Sequence, residues 1–153
     1  VGVGEGNQQV IRPEVAGGYE YTFNPVGDTP EDGTAFLSSA AAAAASDEER
    51  RAAMASYLRV ENPVKRVVDE LPCAGCHVST FVVAQNASRY ALAAADFPDD
   101  AYTSSRDLAV KGNAASNPSS LRAFGWFKDE PMVSQRTVNE TDAVLDYIEA
   151  NFP

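Results

Sequence analysis

Leu71-Pro72-Cys73-Ala74-Gly75-Cys76-His77 is the stretch that decides how the rest of this chain is read. Cys73, Cys76 and His77 form a C-x-x-C-H string, the pattern of c-type haem attachment. Two residues between the cysteines let the backbone turn so that both sulfurs reach the vinyl groups on one porphyrin edge. The next residue brings an imidazole nitrogen to the iron. These are the only two Cys in the chain, and His77 is its only His. A structural zinc site normally takes four Cys or His ligands, whereas three are present and two of them are adjacent. A thioredoxin-like dithiol wants a βαβ setting, which the Ala-rich, helical surroundings do not offer. A plain disulfide or a dithiol site is the remaining alternative to one covalent haem c.

Upstream of the motif, Asn62-Pro63 pairs an N-cap residue with Pro at a first helical position, so a helix with Val64, Val67, Val68 and Leu71 on one face is expected to run into Pro72. Before it, Ser46 and Glu49 fit a capping box, placing a helix start at Asp47 with Ala53, Met54, Tyr57 and Leu58 as its apolar face. The alanine-rich segment from Thr34 to Ser46 reads as another helix. Residues 1–33 are rich in Gly, Pro, Asn and Asp and read as an irregular arm, with one short strand where Tyr19, Tyr21 and Phe23 alternate with Glu20 and Thr22. Downstream, helices are expected around Gln85 to Ala95 and Ser105 to Lys111, with a turn after Asn117-Pro118. Asn139 reads as the N-cap of a terminal helix, Glu140 to about Asn151, with Val144, Tyr147 and Ile148 sharing a face. The expected fold is mostly α, divided into an N-terminal extension (1–45) and a haem domain (46–153).

A second iron ligand must come from outside the histidines, and Met54 and Met132 are the only thioethers. Met54 falls on an apolar helix face, where a buried Met is ordinarily packing. Met132 sits in Asp129-Glu130-Pro131-Met132-Val133-Ser134, a Pro-punctuated loop before the last helix, and is easier to aim at a metal. Phe124, Trp126 and Phe127 are either haem-pocket walls or ordinary core aromatics. Arg122 and Trp126 are placed in sequence to bond a haem propionate.

The order of helix, CAGCH, variable helical middle, Pro-Met loop and terminal amphipathic helix resembles the class I cytochrome c family over about residues 62 to 153. Met132 follows Cys76 by 56 residues, in keeping with that family's spacing. The resemblance implies thioether anchors at Cys73 and Cys76, His77 as proximal ligand and Met132 as distal ligand. It also implies contact of Val67 or Val68 with Tyr147 or Ile148, where the helix before the motif crosses the last one. A monohaem electron carrier, not an enzyme, is then expected, matured in the periplasm or at the cell exterior. A five-coordinate haem sensor or enzyme, and a structural subunit of a larger extracellular redox assembly, are the other function classes in play.

Composition sets the bounds around this reading. The chain has 153 residues, 44 % hydrophobic and 22 % charged, values ordinary for a folded domain. With 12 Lys and Arg against 22 Asp and Glu, the net charge of −10 argues against nucleic acid or anionic lipid and for redox partners with a basic patch. No apolar run is long enough to span a bilayer. The opening Val1-Gly2-Val3-Gly4, without Met, is expected of a mature form after leader removal or of a recombinant piece. Tyr19 to Phe23 is a candidate for strand addition to a second copy. Asn86 and Asn139 match the glycosylation triplet, although Asn139 is better explained as a cap.

Overall fold

The computed structural model describes residues 9–11, 21–23, 34–36, 38–65, 73–106, 108, 124–127 and 129–152, with backbone alone at 9–11, 21–23, 34, 73–78, 127 and 130. The described residues are mostly helical. The elements are β1 (Gln9–Ile11), β2 (Tyr21–Phe23), a 3-10 turn (Thr34–Phe36), α1 (Ser39–Ala44), α2 (Asp47–Glu61) and α3 (Cys73–Tyr90). A 3-10 turn (Ala94–Asp96), β3 (Phe124–Phe127), β4 (Glu130–Val133) and α4 (Gln135–Asn151) complete the order. The short strand expected in the arm is present as β2, and it pairs antiparallel with β1 of the same chain, Val10 opposite Thr22.

The helix before the motif helix forms as its residues dictate. Ser46 Oγ accepts from Glu49 N at 3.2 Å while the Glu49 carboxylate takes the Ser46 N–H at 2.6 Å, the full capping box. Every position on the predicted face, Ala53, Met54, Tyr57 and Leu58, is buried. Met54 is therefore core, together with Phe36, Ala42, Val60, Val82 and Phe97. The Ala-rich segment is shorter than expected: Ser38 caps α1, and a 3-10 turn replaces its first residues. Phe36 lies parallel to the Tyr90 ring at 6.4 Å, and Arg50 spans both helices by covering Tyr90 at 4.7 Å and donating Nε–H to Ala42 O at 2.8 Å.

The chain leaves α2 through Asn62, whose Oδ1 accepts from Val64 N at 2.9 Å and Lys65 N at 3.3 Å. This is the bonding expected of an N-cap, here on a turn that also closes α2. Val64 is exposed, contrary to its expected place on an apolar face, and Val67, Val68 and Leu71 lie outside the described residues. The motif itself opens a helix, α3, which begins twelve residues before the expected Gln85 and ends at Tyr90. Gly75 and the Cys, His, Ser and Thr residues that follow are middling or poor helix formers, so the propensity signal of this segment is weak. At the other end Ala91 takes φ 54°, the left-handed position where Gly is usual. Leu92 N bonds back to Ala87 O at 3.2 Å, and buried Leu92 supplies the apolar contact of this cap. An alanine in that position looks like helix continuation, which is why Ala95 was the expected end.

α2 packs on α3, with Arg50 at its start over Tyr90 at the end of α3 and Glu61 at its end beside Ser79 and Thr80, so the two run antiparallel, and α4 lies against both. The terminal helix starts at Gln135, five residues before the expected Glu140, because Ser134 is the cap: its Oγ accepts from Thr137 N at 3.3 Å. Asn139 is instead buried within the helix and donates Nδ2–H to Glu61 O at 2.8 Å. That burial does not suit a glycosylation acceptor. Val144, Tyr147 and Ile148 share the expected face but are exposed. No helix among the described residues is long and apolar enough to cross a membrane.

A bend at Ser105 and Arg106 stands where a helix start was expected. It is held on α4 by Asp142, whose side chain is fully buried. Tyr102 Oη donates to Asp142 at 3.0 Å, Ser105 N at 3.1 Å and Arg106 Nη1 at 2.6 Å. The Arg106 guanidinium, then these other donors, hold the Asp142 carboxyl down at about 2. A carboxyl lowered by folding contributes stability above its ordinary range and loses it as pH falls through its folded value. Arg106→Ala is expected to move acid unfolding to higher pH, as followed by circular dichroism across a pH series.

Candidate functional site

Cys73, Cys76 and His77 occupy positions i, i+3 and i+4 of α3, which place them on one helix face. Thr80, at i+7, continues that stripe. Thr80 is also where the end of the chain is fastened: its Oγ1 accepts the backbone N–H of Gln135, the first residue of α4, at 2.8 Å. Gln135 follows Met132 by three residues, so the strand carrying Met132 is tied to the motif face one turn beyond His77. The tie is local and polar, and it satisfies one of the orphan N–H groups of the α4 N-terminus.

Met132 lies in a strand where a loop was expected. β3 and β4 pair as a hairpin, Gly125 opposite Met132 and Trp126 opposite Pro131. Pro131 is tolerated because in a two-stranded ribbon half of the N–H groups point away from the ladder. Met132 is 0 % exposed and stands apart from the core around Met54. Gly125 adopts φ 124° directly across from it, a conformation that side chains with a Cβ resist. Gly125→Val is expected to cost about 1–3 kcal/mol through backbone strain, measurable by denaturant unfolding.

The other expected site residues divide. Trp126 and Phe124 alternate on β3 and are 62 % and 77 % exposed, so neither is a core aromatic. The side chain of Phe127 and the whole of Arg122 lie outside the described residues, as do the side chains of Cys73, Cys76 and His77. Among the described side chains no cluster of His, Cys, Asp and Glu is arranged to hold a metal.

One group beside the motif face was not legible in the sequence. Glu61, the last residue of α2, is 4 % exposed, and Oε1 of its carboxyl has no hydrogen-bond partner. Burial pushes this carboxyl up to about 7, against the opposing pull of the Thr80 and Ser79 hydroxyls. Its backbone is fixed by Asn139, and its neighbour Val60 offers O to Arg136 Nη1 at 3.1 Å. In sequence Glu61 is a single acid after Tyr57-Leu58-Arg59-Val60, where three apolar side chains are interrupted by a charge, and it reads equally well as a solvated helix end.

No family model, curated protein or solved structure matches this chain. Two thiols and an imidazole on one helical face, with a buried thioether on a strand fastened to that same face, are the donors a covalent haem needs.

Proposed function

We propose that this chain is a monohaem c-type cytochrome of class I-like organisation that carries single electrons outside the cytoplasm, in the periplasm or at the cell exterior. The observation that supports it most is the stripe Cys73, Cys76, His77, Thr80 on α3, with Thr80 fastened to Gln135 beside Met132. Cys73 and Cys76 would hold the porphyrin through thioethers, His77 would be the proximal ligand and Met132 the distal one. When bound, the haem supplies a one-electron ferric/ferrous couple.

The residues of the chain set the terms of that couple. A soft Met132 sulfur favours the ferrous state and raises the potential relative to two nitrogen ligands. If His77 and Met132 both held the iron, a substrate would have no position on it, which suits a carrier and not an enzyme. Trp126 and Phe124, both on the exposed side of β3, extend apolar surface next to the Met132 strand. The net charge of −10 favours encounter with a partner that presents a basic patch.

Optical spectra of the purified protein, oxidised and reduced, before and after carbon monoxide, test this reading. A low-spin c-type spectrum unchanged by carbon monoxide is expected. Immediate carbon monoxide binding would favour a five-coordinate sensor or enzyme.

A further inference from the structure

We propose that Glu61 is a redox-linked proton site, its carboxyl taking up a proton when the haem iron is reduced and releasing it on oxidation. This rests on the haem reading above. Glu61 is buried against α3, beside Ser79 and Thr80, which stand two and three residues after His77, about 3–4.5 Å along the helix axis. Glu61 Oε1 has no hydrogen-bond partner among the described residues. A buried acid left in this state is costly when ionised and is sensitive to any charge that changes nearby.

Among the described residues, the groups packed around it do not neutralise it. On α3 these are the Ser79 and Thr80 hydroxyls. On α4, Asn139 donates to the Glu61 carbonyl, while the Arg136 guanidinium is engaged by Val60 O and Glu140. On α2, Arg59 pairs with Asp100 at 2.6 Å. The turn Thr34–Phe36 carries no charge. Burial already brings the carboxyl to about 7, so it titrates where a modest change of local charge alters its occupancy.

The balance is simple. One electron from the donor protein reduces ferric to ferrous iron, removing one positive charge, and one solvent proton converts the Glu61 carboxylate to the carboxylic acid. Both are returned on oxidation. The ferric form holds the lower acid constant exponent and the ferrous form the higher, so the midpoint potential falls as pH rises through the two values.

The test is an optical redox titration of the holoprotein from about pH 5 to about pH 9, with reduced-minus-oxidised infrared spectra at about pH 7. A tenfold difference between the two acid constants is expected, which is about 59 mV between the acid and alkaline plateaus for one electron. A protonated carboxyl band should grow on reduction. Glu61→Gln should flatten the titration and remove the band, and Ser79→Ala, which takes away a hydroxyl that lowers the Glu61 value, should move the inflection to higher pH. A pH-independent parent, the same slope in Glu61→Gln, or an inflection unmoved in Ser79→Ala would overturn the inference while the haem spectrum, and with it the cytochrome reading, stands. If Glu61→Gln does not fold, the parent and Ser79→Ala decide. Absence of a haem spectrum would overturn both.

Discussion

Protein carrying Cys73→Ser and Cys76→Ser together is expected to retain no haem after denaturation, whereas the parent keeps all of it. A thioether needs a thiol, and these are the only two cysteines, so no other residue can substitute. Either single change should leave one thioether and a weaker, shifted spectrum. The distinguishing measurement is haem-stained denaturing gel electrophoresis of parent, single and double variants matured under the same conditions. A disulfide role for the pair gives a different pattern, in which no variant stains and the parent differs only in thiol titration. The double variant should also be far less stable, because a group that binds only the folded chain adds its binding free energy to folding.

Met132→Ala carries the second large effect. Met132 is 0 % exposed, and truncating a buried Met to Ala costs about 2–5 kcal/mol from lost burial and the cavity left behind. If packing were its whole role, that loss of stability would be the only consequence. As the distal ligand it has two more: the iron becomes open to carbon monoxide, and the midpoint potential falls by on the order of 0.1 V as the soft sulfur is replaced. Met54→Ala is the matched control, since Met54 is also fully buried but sits in the core with Tyr57 and Val82. It should show the stability loss with no change in carbon monoxide binding. Stability and ligand binding measured on both variants separate packing from ligation.

Local signals served where chemistry is strong and short in range. The capping box of Ser46 and Glu49, the face Ala53-Met54-Tyr57-Leu58 and the strand at Tyr21 were all readable because a cap needs one bond pattern and a helix face needs one spacing. Helix ends are hidden where the decisive residue has an ordinary look. Ala91 in the left-handed cap reads as helix, and Ser134 competes with Asn139 as an equally good cap. The motif helix has little local signal because Gly75 and the residues after it are middling or poor helix formers, and packing against α2 outweighs that.

The site divides along the same line. Cys73, Cys76 and His77 announce themselves by spacing, and Met132 by scarcity of alternatives. Thr80, Asn139 and Glu61 do not, because each matters through a partner from 55 to 78 residues away in sequence or through burial that only the packed helices create. The Asp142 and Arg106 cluster is of the same kind, joining the bend to α4 across 36 residues. Phe124 and Trp126 read as pocket walls or core aromatics, and nothing in their local sequence shows that β3 leaves both of them exposed.

The intact mass of the purified chain, matured in a host that attaches haem and then unfolded in acid to strip any non-covalent ligand, tests the cytochrome reading most directly. A mass greater than the polypeptide by one haem, lost in the Cys73 and Cys76 double variant, is the predicted result. A mass equal to the bare polypeptide, or lower by the two hydrogens of a disulfide, would contradict it.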